Sequence, residues 1–149
     1  MATLSFLGNV NIAIRLIDEK YPGSKLYEVD GLPIDGPTTD YKDIQNLRVV
    51  CTTGSGTAII SSKEWGEWGL IDYIDQPWLE DQVIKWPIHM ELSEADELLK
   101  KAGYTGEYTA VTLRKPLYPG VIQPSYIFAM EEGIYVFVGV DDKSVTVNK

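Results

Sequence analysis

The stretch YIFAMEEGIYVFV, residues 126–138, decides the fold of this chain. Two runs of β-branched and aromatic residues flank a Glu-Glu-Gly turn, which is a pattern typical of a β-hairpin. A further turn leads to SVTVN, residues 144–148, in which Val145 and Val147 alternate with polar residues. The C-terminal part of the chain is therefore predicted to be an antiparallel meander of three strands.

A helix is predicted before these strands. Ser93 and Asp96 have the spacing of a capping box, and Gly103 suits the left-handed position after a helix. Between them lies an apolar stripe of Ala95, Leu98, Leu99 and Ala102. A short helix with one apolar side must lie on a sheet to be stable.

The N-terminal part repeats the same order of elements. A helix is predicted over about residues 9–20, with Asn9 or Asn11 as its cap, and a strand-like piece follows at residues 25–29. After a Pro/Gly loop comes a hairpin pattern at residues 47–53 and 57–62. We therefore expect a single compact α+β domain, an antiparallel sheet with short helices packed on one face. Its two imperfect copies of a helix-then-strands unit cover about residues 9–62 and 92–148, joined by residues 63–91.

The second copy resembles the PepSY-type unit, in which a short helix ending near Gly precedes strands of the form YIF, GIYVFV and VTV. The first copy is similar in IDEKYPGSKLYEV, residues 17–29. Small helix-on-sheet units of this cystatin-like kind are associated with binding and with inhibition of proteases. The resemblance implies a fold class and a binding function, and it brings no catalytic residue with it.

Composition narrows the classes of function. The chain has 149 residues, is 44% hydrophobic, and carries a net charge of −9. This is the composition of a soluble globular protein, and its acidic balance argues against nucleic acid and anionic membranes as partners. A cytoplasmic location is the default, although a processed secreted protein would have the same composition.

No catalytic, metal or cofactor site is predicted. The single cysteine, Cys51, lies in a strand-like run and is expected to be a small buried hydrophobe. The single histidine, His89, rules out a multi-histidine metal site, although it can act as a general base beside a carboxylate such as Glu91. A polar surface position or a satisfied core position is preferred for His89.

The join at residues 63–91 holds all four tryptophans of the chain and a run of acids. Three interpretations remain open: packing between the two copies, a recognition surface for a cationic partner, and a pocket that stacks a sugar or small ligand on tryptophan. The candidate binding residues are Trp65, Trp68, Asp72, Tyr73, Asp75, Trp78, Glu80, Trp86 and His89.

The leading hypothesis is a non-enzymatic binding protein that acts through protein–protein contact, with a protease inhibitor as one version of it. An inhibitor would use an exposed Pro/Gly loop, residues 32–37 or 117–124, as a wedge. The alternative is binding of a small molecule or carbohydrate, or catalysis, in a pocket lined by the tryptophan-rich join. A third hypothesis is assembly through a sheet edge, so the chain is expected to be a monomer or a homodimer.

Overall fold

The computed structural model describes residues 4–79, 81–117 and 119–148. Within these ranges the chain forms one antiparallel sheet of eight strands and two helices, so the predicted α+β class is confirmed. The helices are α1 (Phe6–Lys20) and α2 (Leu92–Lys101), and the strands are β1 (Lys25–Pro33), β2 (Ile44–Thr52), β3 (Thr57–Glu64), β4 (Glu67–Ile74), β5 (Tyr108–Arg114), β6 (Ser125–Met130), β7 (Tyr135–Gly139) and β8 (Val145–Asn148).

Helix α1 begins three residues earlier than its apolar stripe indicates. Ser5 is the N-cap, and its side-chain oxygen accepts a hydrogen bond from the Gly8 N–H at 3.0 Å. The predicted caps Asn9 and Asn11 are wrong, because both lie inside the helix. A serine just before the first turn satisfies an otherwise unpaired N–H, and the helix therefore starts there.

Helix α2 also begins earlier than predicted, with Glu91 rather than Ser93 as its N-cap. The predicted capping box is wrong, since Asp96 instead accepts a hydrogen bond from the Tyr108 hydroxyl at 2.9 Å and pairs with Lys100 at 2.8 Å. The predicted end is correct. Gly103 follows the last turn with a φ of +99°, a conformation that favours glycine.

The predicted hairpins and the C-terminal meander are confirmed. β2 pairs with β3, β6 with β7, and β7 with β8, all antiparallel. Strand β4 was not predicted. It lies within the join at residues 63–91 and forms an outer edge of the sheet, where Ile71 pairs with Ile60 and Tyr73 with Ala58.

The strand order is β4-β3-β2-β1-β5-β6-β7-β8. Each helix is followed along the chain by four strands, and the first strands of the two sets, β1 and β5, lie side by side at the middle of the sheet. The order is therefore symmetric about the β1–β5 pair. Duplication of a unit stays a prediction.

One side of the sheet carries both helices. The register places a continuous apolar row across all eight strands on this helix side, and the buried residues of α1 and α2 pack in the same core. The row is Ile71, Ile60, Val49, Val29, Leu113, Tyr126, Val138 and Val145.

The opposite side, called here the open side, carries no helix among the described residues. The neighbouring row of the register contains a buried glutamate and an arginine at the centre of the sheet, because Glu28 pairs with both Val50 and Arg114. Successive side chains of a strand point to opposite faces, so these residues face away from the helices.

Candidate functional site

Three of the four tryptophans hold α1 on the helix side. Trp65 donates its indole N–H to the Leu4 carbonyl at 2.9 Å. Trp68 and Trp86 donate theirs to the side-chain oxygens of Asn9 and Asn11, each at 3.1 Å. All three rings pack against the helix-side core. The asparagines that were predicted to cap the helix are thus acceptors for tryptophans.

Trp78 is the exception, since it lies on the open side. Its indole N–H is shared between two carboxylates, Asp81 Oδ2 at 2.8 Å and Glu28 Oε1 at 3.2 Å. The Arg48 guanidinium carbon is 6.0 Å from the centre of the ring, within the range of a cation–π contact. The four tryptophans therefore do not form one surface or line one pocket.

Two arginines complete a polar network around Trp78, in which Asp81 and Glu28 are buried and Arg48 is exposed. The Arg48 guanidinium contacts Asp30 at 2.6 Å and Glu28 at 3.7 Å. Arg114 Nε contacts Asp81 Oδ1 at 2.7 Å, and the Asp81 side chain has no exposed surface. Strands β1 and β5 supply partners from distant parts of the sequence, so the network ties the two halves of the chain together.

Glu28 is the unusual acid of this network. Its pKa is raised to about 10, mainly by burial and in addition by hydrogen bonds with Asp81 and Asp30 and by their negative charges. Glu28 is therefore protonated at neutral pH. Two aspartates and two arginines then balance in charge, so the buried carboxylate of Asp81 has a cationic partner.

The chain between β4 and α2 crosses the open side as a strap, defined here as residues 75–84 without Glu80. The Thr57 hydroxyl bonds the Gln76 carbonyl at 2.8 Å, and Ile84 N–H bonds the Leu26 carbonyl at 2.8 Å. Trp78 lies on the open side whereas Ile84 belongs to the helix-side core. The strap therefore changes sides of the sheet between them, next to the start of β1.

Large apolar side chains are exposed where the strap meets the loop after β5. The exposed fractions are 74% for Leu79, 59% for Leu117 and 83% for Ile122, and Val83 lies nearby in sequence at 37%. Gln82 fastens the loop, because its side-chain amide donates to the Pro116 and Val121 carbonyls at 3.0 and 3.4 Å. These four apolar residues are called the apolar tip.

The two largest of the concave regions found among the described residues lie away from the apolar tip. A groove of about 630 Å³ on the open side has Asp30, Asn46, Arg48 and Thr112 among its lining residues. A cavity of about 510 Å³ on the helix side lies between the N-terminal ends of the two helices. Of the predicted site residues, only Trp65 lines either one.

The remaining predicted site residues are dispersed. Asp72, Asp75 and His89 are exposed, and Tyr73 stacks on Tyr21 with ring centres 5.2 Å apart. Glu80 lies outside the described residues. Of the predicted residues that the structure describes, Trp78 is the one that joins the network on the open side.

The described residues form no catalytic arrangement of the kinds considered from sequence. Cys51 is buried, as expected, and burial together with the charge of Asp18 raises the pKa of its thiol to about 12, so it is not a nucleophile at neutral pH. Among the described residues no group of three His, Cys, Asp or Glu side chains is placed to hold a metal ion.

Sequence reasoning missed most of the network. Glu28, Asp30, Arg48, Asp81 and Arg114 were not among the predicted site residues. A signal was present, since Glu28 and Asp30 alternate with apolar residues within one strand, and Arg114 ends another. Charged residues at alternate positions usually face water, so the alternation alone does not indicate a buried cluster.

The comparisons with known proteins concern the fold. No protein-family model matches the chain, and no curated protein sequence matches it. The chain is similar to the crystal structure of a "putative lipoprotein" from Clostridium difficile 630, with a TM-score of 0.68 and 11% sequence identity over 98% of this chain and 99% of that one. At this identity the similarity shows a shared fold only. No helix in the described ranges is both long and apolar enough to cross a membrane.

Proposed function

We propose that this protein is a non-enzymatic binding protein whose protein partner contacts the apolar tip. The observation that carries the proposal is the exposure of Leu79, Leu117 and Ile122, each more than half exposed, on segments that are fastened to the sheet. Soluble proteins rarely expose clustered large apolar side chains unless another molecule covers them.

The anchoring of the tip supports a role in binding. Gln82 restrains the loop after β5. Its backbone N–H donates to the Lys115 carbonyl, and its side-chain amide donates to the Pro116 and Val121 carbonyls. The adjacent Asp81 is held by Arg114 and Trp78. A contact surface that is already ordered loses less conformational entropy when it binds, which favours affinity.

The inhibitor version of this hypothesis has two rival wedges at opposite ends of the sheet. The loop of residues 117–124 follows β5, whereas residues 32–37 follow β1, which runs antiparallel to β5. Leu32 and Ile34 are about half exposed. We favour the first loop because the strap adds Leu79 and Val83 to it.

The test is cross-linking in the cells that make the protein, with a photoreactive amino acid at position 122 and, as the control, at position 34. We expect one discrete adduct from position 122. The partner is then titrated with wild type, Leu117→Asp/Ile122→Asp, and the matched Leu32→Asp/Ile34→Asp. Loss of two central apolar contacts should weaken binding about 100-fold, and the control less than about threefold.

Two results would contradict the proposal: the same adducts from both positions, or equal affinity of the tip variant and wild type. The inhibitor version is tested separately by titrating proteases of each mechanistic class. If no class is inhibited, that version is wrong while partner binding stands on the cross-linking result.

We also infer that the chain consists of two copies of a helix-then-strands unit. The support is the order of elements, a helix followed by four strands in each half, and the symmetry of the sheet about β1 and β5. The resemblance of each half to a PepSY-type unit and the cytoplasmic location stay predictions.

A further inference from the structure

A cavity of about 510 Å³ lies on the helix side, remote from the apolar tip. It is formed where the first turns of α1 and α2 meet the start of β2 and the turn between β3 and β4. Its walls are mostly apolar and aromatic, namely Leu4, Phe6, Tyr41, Trp65 and Leu92. The volume and the lining are those of sites that hold small organic molecules.

The walls of this cavity are already in place. Trp65 is fixed by its hydrogen bond to the Leu4 carbonyl. Phe6 packs edge-on against Tyr126, with ring centres 5.9 Å apart, and Leu92 is buried in the core. A ligand therefore meets a pre-formed aromatic wall and need not order it.

The charged groups of the lining balance one another. Lys42 and Glu91 each contribute one charge, of opposite sign. The Glu91 carboxylate already accepts the Leu7 N–H at 3.1 Å, so it serves the first turn of α1. A cationic ligand would be repelled by Lys42 and by the partial positive charge at both helix N-terminal ends. An anionic ligand would be repelled by the Glu91 carboxylate.

We propose that this cavity binds an uncharged small molecule that contains one or two rings. Aromatic walls favour flat rings through stacking and edge contacts. Polar groups at the rim, such as the Ser93 hydroxyl and the Gln45 amide, suit a single hydrogen-bonding substituent. This site is separate from the protein-binding surface proposed above, and neither depends on the other.

The test uses three probes that share one ring system and differ in charge: 2-naphthol, 2-naphthoate and 2-naphthylmethylammonium. Binding is followed by protein NMR, with chemical shifts at Trp65 and Leu92 as the local signals. We expect saturable binding of 2-naphthol and at least about tenfold weaker binding of both charged probes.

Two variants locate the binding. Ser93→Phe places a ring at the mouth of the cavity from an exposed helical position, and we expect it to weaken 2-naphthol binding at least about tenfold. The matched control is Glu97→Phe, one turn further along α2 and equally exposed, which should bind as wild type does.

Absence of saturable shifts at Trp65 would overturn the proposal, as would equal binding by wild type and Ser93→Phe. A charged probe that binds as tightly as 2-naphthol would show that the assigned ligand class is wrong.

Discussion

The two sides of the sheet are built from different chemistry. On the helix side every position of the central row is apolar, and two helices and three tryptophans cover it. On the open side the centre of the sheet holds Glu28, Arg48 and Arg114, which the strap contacts through Trp78 and Asp81. The comparison indicates that one side supplies most of the stability, whereas the other fixes the position of the strap and of the apolar tip beside it.

The largest expected effect on the free energy of unfolding comes from a comparison of two phenylalanines on the adjacent strands β6 and β7. Phe128 is fully buried on the helix side and packs edge-on against Tyr108 at 5.0 Å, whereas Phe137 pairs with Ile127 on the open side and is half-buried. Phe128→Ala should lower the free energy of unfolding by about 4 kcal/mol, since a cavity forms. Phe137→Ala should lower the free energy of unfolding by about 1 kcal/mol, because its side chain is only partly buried.

Urea denaturation of the two variants measures this difference. Equal losses of stability would contradict the inference that the helix side supplies most of the stability, because the open side would then contribute as much packing as the helix side.

Much of the scaffold behind this comparison was predictable from local sequence. Gly54 and Gly133 mark the two hairpin turns, and both have a φ of +99°. The pairing of β1 with β5 was not predictable, because Glu28 and Arg114 are far apart in sequence and no local pattern indicates that they are neighbours. The network and the side of the sheet on which each tryptophan lies follow from that pairing and from the path of the strap.

A second prediction concerns a substitution that disrupts the network on the open side. Asp81→Asn removes a fully buried charge that Arg114 contacts at 2.7 Å and that Trp78 also bonds. We expect a loss of about 3 kcal/mol in the free energy of unfolding, since loss of one partner of a buried pair is costly. The matched change Asp75→Asn, at an exposed position of the same strap, should cost less than about 0.5 kcal/mol.

Chemical denaturation and the tryptophan fluorescence of the folded protein, to which Trp78 contributes, report this change together. The emission of a tryptophan released from the sheet should move to longer wavelength in Asp81→Asn and not in Asp75→Asn. An unchanged stability in Asp81→Asn would mean that the strap is held by its apolar contacts and not by the network.

A third prediction tests the protonation of Glu28, which makes the stability depend on pH. Its pKa is about 10 in the folded protein against an ordinary value of 4.5, because of burial first and the neighbouring Asp81 and Asp30 next. Between these two values the folded state holds a proton that the unfolded chain has lost. Raising the pH through this window therefore destabilises the fold, by at most about 1.4 kcal/mol per pH unit from this group.

Glu28→Gln keeps the shape of the neutral acid and cannot ionise, so the variant should lose this part of the pH dependence. The measurement is the free energy of unfolding of both proteins from pH 5 to pH 9, taken as their difference at each pH. We expect the difference to grow in favour of Glu28→Gln as the pH rises, because the wild type alone must keep a proton on a buried acid. A constant difference would mean that Glu28 ionises as easily in the fold as in the unfolded chain, and the open side would then hold an uncompensated negative charge beneath Trp78.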